Sequence, residues 1–108
     1  MNNITFDDFK KIKIKIGRVT SAENVEESDK LLKLDVDFGS DKRQIVSGIA
    51  KSYSPEELVG REFPFVVNLE YRKFLGIESQ GMILAIDAKE KTVLLAPTEE
   101  VEPGAEVV

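Results

Sequence analysis

The chain of 108 residues contains no cysteine, no histidine and no tryptophan. Without cysteine there is no disulfide, no thiolate metal site and no cysteine nucleophile. Without histidine the commonest general base and the commonest metal ligand are also missing. Catalysis would have to rest on carboxylates, lysine or tyrosine alone, and no glycine-rich phosphate loop accompanies the 20 Asp and Glu. The composition therefore leads us to expect no catalytic site, no metal and no cofactor. Nor does any apolar run approach the roughly 18 residues of a membrane-spanning helix. The N-terminal stretch Met1 to Asp8 has no basic segment followed by an apolar one. A chain without a secretory signal or membrane contact is expected, in the cytoplasm.

Apolar residues make up 42% and charged residues 32%, a normal globular balance, and the length suits one domain over residues 1–108. The net charge of −5 looks unfavourable for binding nucleic acid. The excess is unevenly spread, however. Glu99, Glu100, Glu102 and Glu106 crowd the C-terminal end with no basic residue among them, so a neutral or basic face can survive elsewhere.

Periodicity then points to strands. Thr5 to Phe9 offers a cap, an acidic first turn and two aromatics, which predicts one helical turn packed as a lid on a core. Lys11 to Ile16 alternates strictly, with Ile12, Ile14 and Ile16 expected inward and Lys11, Lys13 and Lys15 outward. A bulge is expected at Gly17, where the apolar parity changes to Val19. Leu32, Leu34, Val36 and Phe38 mark a second strand, and a turn at Gly39 to Asp41 leads into a third over residues 43–47. Ser54 to Gly60 spells a short capped helix, with Pro55 at its first position and Gly60 at its exit. Phe63, Phe65, Val67 and Leu69 mark a fourth strand, with Pro64 at an edge or beginning. Met82 to Ile86 gives the fifth, and Thr92 to Ala96 a short addition before the acidic tail. The expected fold is all-β: a five-stranded Greek-key OB-fold barrel with a short helix between strands 3 and 4 and small N- and C-terminal extensions.

The segment from Arg72 to Met82 joins strands 4 and 5, a connection that lies over the binding face of such barrels. Its paired cations, aromatic and small polar groups suit nucleotide contacts, although a solvated loop with two turn glycines has the same composition. Lys30, Lys33, Arg43 and Lys51 add to a basic surface if strands 1 to 3 share a face. Lys11, Lys13 and Lys15 read more simply as a solvated strand face. With two tyrosines and no tryptophan, stacking platforms are few, so recognition is expected to lean on shape and backbone.

Four blocks carry a family resemblance: Asp29 to Leu34, Gln44 to Ile49, Tyr53 to Gly60 and Gly76 to Met82. In this order they resemble the EMAP-II-like tRNA-binding domain, most of all the C-terminal domain or beta subunit of methionyl-tRNA synthetase. The resemblance implies a non-catalytic tRNA-binding OB-fold that assists an aminoacyl-tRNA synthetase in protein biosynthesis, as a free subunit or a domain, and forms a homodimer. It also implies tRNA contacts from Lys30, Lys33, Asn68, Arg72, Lys73, Ser79, Gln80 and Met82. Glu70 and Tyr71 depart from the family pattern, in which a cation and a proline often precede the Arg-Lys pair. Ile4, Phe6, Val101, Val107 and Val108 are candidates for the dimer contact, or else simply cover the barrel ends. Other barrels of this kind resemble export chaperones that bind apolar peptides as dimers, and a docking domain joining synthetases is a third reading.

Overall fold

Alternation builds the second strand. Leu32, Leu34 and Val36 are buried on one face of β2 (Leu32–Asp37), whereas Asp35 between them is exposed. In the computed structural model, which describes residues 1–108, β2 pairs antiparallel with β1 (Ile14–Asn24) and with β3 (Lys42–Ser47). β1 also pairs with β4 (Glu62–Val66), and β4 with the two-residue β7 (Met82–Ile83), giving the order β3-β2-β1-β4-β7. Two separate hairpins accompany this sheet: β5 (Arg72–Phe74) with β6 (Ile77–Ser79), and β8 (Ala85–Asp87) with β9 (Thr92–Leu94). The interior is a single cluster in which Val19, Leu34, Ile45, Leu58, Phe63 and Phe65 are fully buried and the Phe38 ring meets that of Phe65 edge to face at 5.4 Å. This is the expected OB-like all-β barrel.

Closure of the barrel uses side chains as well as backbone. The Gln80 N–H donates to the Gln44 carbonyl at 2.8 Å, the Gln44 N–H donates to Gln80 Oε1 at 3.0 Å, and the Val46 N–H donates to Ser79 Oγ at 2.9 Å. Arg43 reinforces the seam by donating to the carbonyls of Val67 at 2.6 Å and Gln80 at 3.0 Å. Its guanidinium is thus turned away from the basic surface expected of it.

The first strand differs most from the sequence reading. β1 starts at Ile14, leaving Ile12 exposed. Lys15 and Gly17 lie directly opposite Phe65 and Phe63, while Ile14 and Ile16 lie opposite Val66 and Pro64 on the other face. By this register Ile14 and Ile16 lie on the face away from the two phenylalanines, yet Ile16 is buried as expected and Ile14 half-buried, whereas Lys15, expected outward, is half-buried on the phenylalanine side. The cause is that β4 is buried on both faces. The C-terminal segment runs along β1, with Ile16 N–H donating to Ala105 O at 2.8 Å and Val107 N–H to Ile14 O at 2.9 Å. A strand pair that is apolar on both faces gives alternation no direction. The register shift falls between Val19 and Ser21, beyond Gly17. Gly17 serves packing instead: a Cβ there would overlap Val36 Cγ1 and sit 2.7 Å from the Phe38 ring.

Other boundaries moved as well. The helix α1 (Phe6–Lys10) is capped by Thr5 as expected, but none of its residues is buried, so it is not a lid. Residues 54–60 form only a 3₁₀ turn over Pro55–Glu57, in which the Ser54 N–H and hydroxyl both donate to the Glu57 carboxylate, at 2.9 and 3.0 Å. Pro64 lies inside β4 rather than at its start; the brevity of β7 leaves few donors needed there. The fourth strand ends at Val66, with Leu69 exposed. The fifth strand is interrupted between β7 and β8, and the last ends at Leu94.

Candidate nucleic-acid interface

The β5–β6 hairpin places the candidate residues. Its turn residues Leu75 and Gly76 both have positive φ, 53° and 79°, the pattern of a two-residue hairpin turn whose twist matches its strands. A leucine at such a position is costly, which is why the sequence read as a loop. The hairpin packs against β3, and between them lies a small cavity of about 60 Å³ with Val46, Leu69, Phe74 and Met82 as apolar walls and Glu70 and Arg72 beside them. Arg72 is exposed, and its guanidinium stacks 5.0 Å from the centroid of the Phe74 ring. Lys73 is exposed opposite Glu78, without an ion pair between them. Met82 is 45% exposed, leaving a flexible apolar surface in the same cavity as Arg72.

Lys33 lies beside Val46 on the outer face of β2–β3, so it shares this neighbourhood. It is not free: its Nζ is 2.8 Å from Glu23 Oε1. The hydrogen bond to Glu23, and then the charge of that carboxylate, hold the Lys33 ammonium above its ordinary pKa. Lys30 is exposed in the loop from Val25 to Leu31, in a groove that also contains Leu75 and the acidic Glu26, Glu27 and Asp29. Six of the implied residues, Lys30, Lys33, Arg72, Lys73, Ser79 and Met82, therefore gather around the hairpin and the β2–β3 face.

Three of the eight have structural duties. Ser79 is 3% exposed, and its hydroxyl accepts the Val46 N–H and donates to the Gly81 carbonyl. Gln80 closes the barrel onto Gln44. Asn68 stands apart, accepting from Lys13 N–H at 2.8 Å and donating to Lys11 O at 2.6 Å, so it stitches the approach to β1 onto the end of β4. Tyr53 is likewise occupied, its hydroxyl accepting the Leu94 N–H. Sequence reasoning missed Phe74 as the partner of Arg72 and Glu23 as the partner of Lys33. The Leu-Gly pair flanked by extended residues was the available signal for the hairpin.

A barrel with a cation-bearing hairpin over the outer face of its second and third strands is an OB-type binding module. Its family follows from comparison with known proteins. Residues 14–106 match the family described as "Putative tRNA binding domain", and the chain belongs to that family. It is 54% identical over 104 residues to methionine–tRNA ligase of Archaeoglobus fulgidus, a match covering 96% of this chain and 16% of that enzyme. Among solved structures, a MetRS related protein from Pyrococcus horikoshii superposes with TM-score 0.95 at 46% identity, with all of both chains covered. The chaperone CsaA of Bacillus anthracis superposes with TM-score 0.90 at 30% identity, covering 99% of this chain and 100% of that one.

Proposed function

We propose that this chain is a non-catalytic, cytoplasmic tRNA-binding module that recognises tRNA largely by shape and backbone, as a dimeric accessory domain or subunit of a methionine–tRNA ligase. The observation that supports it most is the Arg72 guanidinium, stacked on Phe74 at the β2–β3 face without a carboxylate partner. A stacked guanidinium offers both a charge to a phosphate and a planar face to a base. Shape-based recognition fits the scarcity of bare aromatic platforms. Since the chain spans 16% of the ligase it resembles, the ligase's own chemistry is assigned to other parts of such a protein.

The dimer reading is supported by a terminal apolar groove in which Phe6, Phe9, Ile12 and Val107 are all at least 43% exposed. Exposed apolar residues gathered in one groove suit a protein contact, and a second copy of the chain is the proposed occupant. Val101 does not line this groove. Sedimentation of the parent chain should show a dimer, and Phe6→Glu with Ile12→Glu a monomer; a monomeric parent at high micromolar concentration overturns this half of the reading.

RNA binding is tested by titrating tRNA and an unstructured RNA of equal length at several salt concentrations. Preference for tRNA and a steep negative salt slope are expected, and Arg72→Ala with Lys73→Ala should flatten the slope by about two phosphate contacts. Absence of binding at low salt overturns the reading. It would favour instead the peptide-binding role suggested by the likeness to a chaperone and by the net charge of −5.

A further inference from the structure

We propose that a second groove, running from Lys30 to the β8–β9 turn, binds RNA phosphates and extends the contact track beyond the β2–β3 face. This inference rests on the RNA-binding reading above. The groove holds about 220 Å³ and brings Lys30, Lys51, Lys89 and Lys91 together, against only Asp87 and Glu90. It has an excess of positive charge in a chain whose net charge is −5, so it is a place to which an anionic backbone would be drawn.

Continuity supports the assignment. Lys30 also lines the groove beneath Leu75 at the tip of the β5–β6 hairpin, so one lysine belongs to both depressions. A backbone leaving the Arg72 face past Leu75 would pass Glu26, Glu27 and Asp29 in that first depression, meet Lys30, and then reach the other three lysines. The two acidic groups inside the groove, Asp87 and Glu90, are outnumbered by its four lysines. Asp87 accepts the Lys89 N–H at 3.1 Å and is committed to the turn. Asp29, at the groove's edge, lies 3.8 Å from Lys51 with both side chains more than half exposed, a pair that water and salt readily separate.

The turn itself carries a second sign. Lys89 has φ 69°, a left-handed conformation that glycine or asparagine adopts more cheaply. The turn is closed by the Ala88 N–H donating to the Lys91 carbonyl at 3.0 Å, and it needs nothing from the Lys89 side chain. Lys89 makes no intramolecular ion pair, so its ammonium is free for a ligand outside the chain.

The experiment titrates tRNA against the full chain carrying Lys51→Gln, Lys89→Asn and Lys91→Gln, against the corresponding triple arginine variant, and against Lys42→Gln as a lysine outside both grooves. Lys89→Asn relieves the turn, so the melting temperature should not fall, and any loss is one of binding. We expect the first variant to bind on the order of tenfold more weakly near 0.1 M salt, with a slope flatter by about two contacts. Arginine should retain the parent slope, and Lys42→Gln should change it little. If the parent binds and Arg72→Ala weakens it, but the triple variant matches the parent within about twofold, the second groove is overturned while the RNA reading stands. A parent that binds no tRNA overturns both.

Discussion

Gln80 meets Gln44 with both its main chain and its side chain: its N–H donates to the Gln44 carbonyl at 2.8 Å, and its Oε1 accepts the Gln44 N–H at 3.0 Å. One residue thus satisfies the donor and the acceptor that β3 would otherwise leave open at the barrel seam. Gln80→Leu leaves the Gln44 N–H without that partner, a loss of about 1–3 kcal/mol for a partly buried donor. Urea unfolding should show the midpoint falling with the slope unchanged. An unaltered midpoint accompanied by weaker RNA binding would show that Gln80 acts at the surface instead.

Gly104 fixes the C-terminal segment against β1. Its φ is +95°, and a Cβ there would overlap the Phe38 carbonyl oxygen, which is backbone and has little room to move. Gly104→Ala should therefore pull the segment off β1 and cost about 1–3 kcal/mol. Hydrogen exchange is the direct check: the Ile16 and Val107 amides, which bond across this junction, should lose protection, while the Leu34 and Ile45 amides of β2 and β3 keep theirs.

How far the sequence speaks for itself depends on which faces are covered. β2 has one buried and one more exposed face, so Leu32, Leu34 and Val36 announced themselves, and the same holds for the turn chemistry at Ser54 and Gly60. β1 and β4 carry apolar residues on both sides, so the alternation of Lys11 to Ile16 suggested a strand and the burial of Ile16, but not that Lys15 would lie opposite Phe65. The cations of the candidate interface were legible as residues. Their partners were not: Glu23 reaches Lys33, Arg43 turns to the seam, and Asn68 serves Lys13 only once β1, β2 and β4 are in register. Ser79 and Gln80 were legible as polar groups, but their hydrogen bonds across the barrel seam were not, because sequence cannot show that a side chain completes a strand edge.

Glu57 gives a pH signature. The Ser54 N–H, and then the Ser54 hydroxyl, hold its carboxyl below the ordinary value of 4.5. A group depressed on folding adds stability above its unfolded pKa and loses it as pH falls through the folded value. Glu57→Gln keeps the shape and an acceptor but not the charge. The variant should be less stable than the parent near neutral pH, and the gap should narrow as pH drops below about 4.5. Denaturant midpoints at three pH values settle it, and a gap of constant size would mean that the carboxylate charge is not what the turn uses.

Glu23 restrains the outer face of β2–β3. Its carboxylate lies 2.8 Å from Lys33 Nζ in a directly opposed cross-strand pair, so one cation of the candidate interface is already neutralised within the chain. Glu23 is exposed and Lys33 half-buried at the surface, so removing the pair should alter stability little. Binding should respond more. With Glu23→Gln, Lys33 can offer its full charge to a phosphate, so tRNA affinity at low salt should rise severalfold and the salt slope should steepen by about one contact. Lys33→Gln in the same background should cancel the gain, because the gain belongs to that ammonium and not to the general loss of a negative charge. If the double variant binds as tightly as Glu23→Gln alone, Lys33 lies off the RNA path, and the track runs through Arg72, Lys73 and Lys30 without it.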